Sequence, residues 1–202
     1  MATYPESNPT PYYPLNIIQR WSTSRVDLGG DRTVVQKRSN IVYPAYDVIV
    51  NYPAISTSDA QTLWNFYKAR RGGYEPFYIY NLAMVEISLA HVGEFCGIGD
   101  SSEDTFDIPG RETSDQTIYV AGVEQTITTD YTISSGSGTS GADQIVFEAG
   151  SIPAAGSVVT VDFTGYLRIR VCFESDELNQ ELFEEDLMRY QGIKLIGQEP
   201  FA

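Results

Sequence analysis

The chain has 202 residues, of which 42% are apolar and 20% charged, and a net charge of −14. That length allows one large domain or two small ones, either able to bury a core. Acidity on this scale sets the chain against nucleic acid. No apolar run approaches the roughly 18 residues that cross a bilayer, and Cys96 and Cys172 belong to no CxxC pattern, so a disulfide scaffold is not expected.

From the N-terminus, MATYPESNPTPYYPLNI lacks a basic region and a long apolar stretch, so it does not read as a signal peptide. Pro5, Pro9, Pro11 and Pro14 make residues 1–16 an extended arm, because proline blocks helix and central strand. The arm is either a disordered tail or a segment that packs Tyr12, Tyr13, Leu15 and Ile17 on a neighbouring subunit. Thr23–Leu28 and Arg32–Arg38 flank Gly29-Gly30-Asp31 and predict a hairpin. In Ala45–Tyr52, Tyr46, Val48 and Val50 alternate with Asp47 and Asn51, while Ile49 breaks the pattern, as in a half-buried antiparallel strand.

Ser58–Asn81 is the best-defined stretch. Ser58 reads as a helix cap, with Gln61 completing a capping box. Ala60, Leu63, Trp64 and Tyr67 fall on one helical face and predict the side that meets the core. Lys68, Arg70 and Arg71 suit the C-terminal end of the dipole, and Gly72-Gly73 supplies the stop. Phe77–Tyr80 then reads as a strand, with another over Met84–Leu89.

Charge divides the chain. Residues 92–165 hold 12 acids and one base, Arg111, whereas residues 1–91 hold 7 acids and 8 bases. The acidic middle predicts short strands at Thr105–Ile108, Thr117–Val120, Val123–Thr128, Tyr131–Ile133, Gln144–Phe147 and Val158–Phe163, as in a small sandwich or barrel. Gly122 marks a turn, and the Gly/Ser stretch 134–141 reads as a flexible exposed loop. Tyr166–Phe173 alternates again, Asp176–Tyr190 is a helix or a loop plus strand, and Gly192–Gly197 is a strand. The economical reading is mainly β. A barrel or sandwich of residues 17–91 plus 166–202 carries one short helix, and a small all-β domain is inserted at 92–165.

Little in this sequence is shaped for catalysis. His91 is the single histidine, so a His-based metal site or triad has almost nothing to draw on. Asp100–Asp107 offers oxygen ligands at alternate positions, but it lacks the glycine and terminal glutamate of a calcium loop, and a solvated turn competes with that reading. No catalytic, cofactor or metal residue is therefore assigned, and an enzyme is not expected. Arg32, Lys37 and Arg38 cluster, as do Lys68, Arg70 and Arg71. Each cluster is either an exposed salt-bridged face or an interface with an acidic surface of another subunit.

Taken in order, YPLNIIQRWSTSRVDLGGDRTVVQKRSN, YDVIVNYPAISTSDAQTLWNFYKARRGGYEPFYIYN, IYVAGVEQ and IVFEAGSIPAAGSVVTVDFTGYLRIRVCFESDEL resemble the distal tail protein family of tailed phages, also found in gene transfer agents. The resemblance spans nearly the whole chain. It implies a virion structural protein made late in the host cytoplasm and assembled into a homohexameric ring. The ring would join the tail tube protein to hub or baseplate proteins at the tail tip, with an inserted domain projecting outward. It implies neither specific nucleic-acid binding nor membrane insertion. The alternative is a module for host-surface saccharide, with Phe95, Phe106, Tyr119, Tyr131, Phe147 and Phe163 as the available rings.

Overall fold

The computed structural model describes residues 2–5, 9, 12–27, 35–39, 44–80 and 89–198, with backbone alone at 12–15, 25–27, 35–39, 89 and 183. The protein is mainly β, with large antiparallel sheets in a sandwich-like arrangement and, among the described residues, one α-helix. The strands are β1 (Tyr12–Arg20), β2 (Thr23–Asp27), β3 (Val35–Ser39), β4 (Ala45–Ser56), β5 (Phe77–Tyr80), β6 (Leu89–Ile98), β7 (Thr105–Asp107), β8 (Gly110–Val120), β9 (Val123–Glu124), β10 (Tyr131–Ser134), β11 (Gln144–Phe147), β12 (Val158–Phe173), β13 (Glu181–Glu184) and β14 (Leu187–Gly197). The helix, α1, is Thr57–Ala69.

β12 organises these elements. It is 16 residues long, and its side chains alternate between buried and half-buried along its length. Residues 158–165 pair with β6, residues 159–167 with β8, and residues 168–173 with β5 and β14. β14 continues the sheet to β4 and then β1, giving nine strands in all. A three-stranded sheet, β10-β11-β7, packs into the same apolar cluster, where Phe106, Ile145 and Phe147 meet Val159, Val161 and Phe163. The two strands expected at Val158–Phe163 and Tyr166–Phe173 are thus one. The chain passes through Gly165 without a break, and a Cβ there would sit only 3.1 Å from Thr113 Cα.

The helix differs from expectation at both ends. Its cap is Ser56, not Ser58: the Asp59 N–H donates to Ser56 Oγ at 3.2 Å, and Ser56 Oγ donates back to Asp59 Oδ2 at 2.8 Å. Gln61 bonds Asn65 instead of closing a capping box. At the other end Arg71 takes the first left-handed position (φ 53°), and Gly72 (φ 65°) takes the second.

The core face is Ala60, Leu63, Phe66 and Tyr67. Trp64 is 37% exposed and is not part of it. Phe66 packs edge-on against Phe77 at 5.0 Å and turns the apolar face toward itself, leaving Trp64 on the flank. Leu63→Ala is therefore expected to cost about 2–5 kcal/mol, against about 1–2 kcal/mol for Trp64→Ala. Urea unfolding of the two variants checks the order, and equal losses would contradict it.

Two further readings gain detail. The Gly/Ser loop is largely exposed, as expected, and is tied down at its base. Asp143, 2% exposed, accepts from Ser135 Oγ (3.0 Å) and the Gly136 N–H (2.8 Å) through one oxygen. Its other oxygen accepts from the Thr113 N–H (2.8 Å) and Oγ1 (2.6 Å). The N-terminal stretch is also held by its own chain. Residues 2–4 run parallel to β5, with the Tyr4 N–H on the Tyr78 carbonyl at 2.7 Å, and Tyr12–Arg20 is a strand despite Pro14. Asp176–Tyr190 is loop, β13 and the start of β14; the helical alternative does not form. The strand expected over Met84–Leu89 lies outside the described residues except at Leu89, where β6 begins.

Candidate functional site

The half-buried side of β12 carries Thr160, Asp162, Thr164, Tyr166, Arg168 and Arg170. Where β12 passes from one set of partners to the other, this side opens into a cleft of about 100 Å³. Its walls include Tyr46 from β4, Tyr78 from β5, Glu94 and Cys96 from β6, and Arg168 and Arg170 from β12.

Arg168 is committed within the chain. Its Nη1 lies 3.2 Å from Asp107 Oδ2 and donates to the Thr139 carbonyl at 2.7 Å, and its guanidinium stacks 4.5 Å above the Tyr78 ring. With Tyr80 OH donating to the Ser140 carbonyl at 2.9 Å, these bonds fasten the 139–141 turn onto β5 and β12. Arg170 is also engaged within the chain.

Glu94 is placed differently. Among the described residues its ion-pair contact is His91 Nδ1, at 4.0 Å. Burial lowers the His91 pKa below its ordinary 6.5, against a smaller upward pull from a backbone hydrogen bond with Gly165. His91 is therefore largely neutral at pH 7 and gives Glu94 little charge compensation. Burial raises the Glu94 pKa above the usual carboxylate range. Burial, and then the Glu94 charge, push the Tyr46 phenol up to about 12. The Cys96 thiol is driven up chiefly by burial, so it is not a thiolate nucleophile.

The residues singled out from sequence do not form one site. Arg70 and Arg71 share Glu75, at 3.2 and 3.8 Å, which favours the salt-bridged reading of the helix end; Lys68 is exposed. Arg32 lies outside the described residues, and only the backbone of Tyr12, Tyr13, Lys37 and Arg38 is described. Of the expected hairpin the two strands are present as β2 and β3, whose register sets Arg25 opposite Lys37 and Ser24 opposite Arg38, while its turn at Gly29-Gly30-Asp31 lies outside the described residues. The two strands pair with no other strand among the described residues. Of the rings available to a saccharide, Phe95, Phe106, Tyr131, Phe147 and Phe163 are buried, and Tyr119 is half-buried with its hydroxyl 3.4 Å from Asp162.

Asp100 closes a turn by accepting from the Ser102 and Glu103 N–H groups at 2.7 and 2.6 Å. Among the described residues no three His, Cys, Asp or Glu side chains are grouped to hold a metal, and no helix is long and apolar enough to cross a membrane.

Sequence reasoning did not find the cleft, because its walls come from stretches far apart in the chain. The available signal was Arg168 and Arg170 on the polar side of an alternating strand. No family model matches the chain, and no curated protein matches it significantly.

Proposed function

We propose that the protein is a structural component of a tailed-phage tail tip, forming a six-membered ring between the tail tube and the hub or baseplate. The family resemblance supplies the class, and the β2–β3 hairpin is the observation that carries self-assembly. A two-stranded ribbon is marginal in water without a surface to pack on, and like charges directly opposite destabilise it further. Arg25 and Lys37 occupy such a pair, in a chain whose net charge is −14. An acidic face of a neighbouring copy supplies both the surface and the counter-charge. Ring closure is a head-to-tail contact between two different patches, as such a pairing requires.

In this reading acidic groups line the lumen and repel DNA as it passes; a lumen lined mainly by lysine and arginine would rule that out. Saccharide binding is the weaker reading, because five of the six rings it would use are buried.

Light scattering and native mass spectrometry of the full chain test the ring. Six copies are expected, and a monomer at every concentration and salt would overturn the proposal. Because Glu75 already serves Arg70 and Arg71, reversing both to glutamate is expected to change the apparent association constant by less than about fivefold. A larger loss would put the helix end into the contact.

A further inference from the structure

Glu94 lines an open cleft, is largely removed from water, and faces a histidine that burial keeps neutral. The other charged groups in the cleft are already engaged: Asp107 is neutralised by Arg168, and Arg170 has its own interaction within the chain. A carboxylate placed this way is stabilised most by a cation that brings its own hydrogen-bond donors. The cleft also presents apolar wall from Pro44, Phe95 and Ile169 beside the Tyr46 phenol. Lysine and arginine match that combination, since they lay an apolar stem along carbon surface and carry charge at the tip.

The chain holds a source of such side chains. The β2–β3 hairpin places Arg25 and Lys37 as a cross-strand pair with no third strand beside it among the described residues. We propose that the cleft around Glu94 seats a lysine or arginine of the β2–β3 hairpin of a second copy of this chain. The inference rests on the ring reading and names the two unlike patches that a head-to-tail contact needs.

The test is a charge swap in the full-length protein, read by light scattering across a concentration series, with circular dichroism to verify folding. Glu94→Gln is expected to weaken association on the order of tenfold, and Glu94→Lys more. Combining Glu94→Lys with Arg25→Glu and Lys37→Glu is expected to restore at least part of the loss. Glu94→Gln keeps the side-chain volume, so it tests the cleft even if Glu94→Lys fails to fold.

A wild-type oligomer unaffected by Glu94→Gln and Glu94→Lys would overturn the inference and leave the ring standing. A loss that the hairpin reversal does not restore would remove the hairpin as the occupant. A wild-type chain that stays monomeric throughout would remove the ring reading as well.

Discussion

Phe77→Ala is expected to cost about 3–5 kcal/mol of stability, the largest single loss anticipated here. Phe77 is 0% exposed at the start of β5, ringed by Tyr4, Phe66 and Phe173 at centroid distances of 5.8, 5.0 and 5.0 Å. These neighbours come from the N-terminal segment, α1 and β12, so the ring is where three separate stretches meet. Truncation removes the buried area and leaves a cavity whose walls belong to different elements and close only in part. The edge contact with Phe66 and the stacked contact with Tyr4 are lost as well. The urea midpoint should fall with an unchanged slope, and a loss below about 1 kcal/mol would mean that the site collapses around the smaller side chain.

The second large effect is at Asp143. Burial alone would raise its pKa, but donors from Thr113, Gly136 and Ser135 outweigh burial and hold it below the ordinary 3.8. A group depressed in this way contributes stability that is full above the unfolded value and is lost as pH falls through the folded one. The window therefore lies below about pH 4. Asp143→Ala leaves four donors without their acceptor and is expected to cost on the order of 2–3 kcal/mol at pH 7. Urea midpoints of wild type and variant at pH 7 and pH 3 should lie closer together at pH 3. A constant gap across that range would mean that the carboxylate's charge contributes nothing.

Local signals carried much of the fold. Phe77–Tyr80 and Gln144–Phe147 occur at the residues expected, because β-branched and aromatic runs between clear turns leave few alternatives. The Ala121-Gly122 turn is legible for the same reason: both residues take positive φ (51° and 79°), as a two-residue hairpin turn demands.

Pairing was harder to read. Asp47, assigned to the polar face of its strand, is buried, because Arg20 from β1 and the Gly197 N–H from β14 converge on it. Trp64 and Phe66 are both compatible with a helical stripe, and the position of Phe77 decides between them. The cleft is tertiary from the outset, since nothing near Glu94 in sequence announces Tyr46 or Arg168.

The continuity of β12 has a mechanical consequence. At 16 residues it is about 50 Å of unbroken backbone, anchored by β6 and β8 along one half and by β5 and β14 along the other. A pull on the acidic half directed along this strand loads the rungs of both ladders in shear. Many rungs then share the load, whereas peeling an edge breaks them one at a time. Force applied to the 92–165 region along β12 is accordingly delivered into the middle of the nine-stranded sheet.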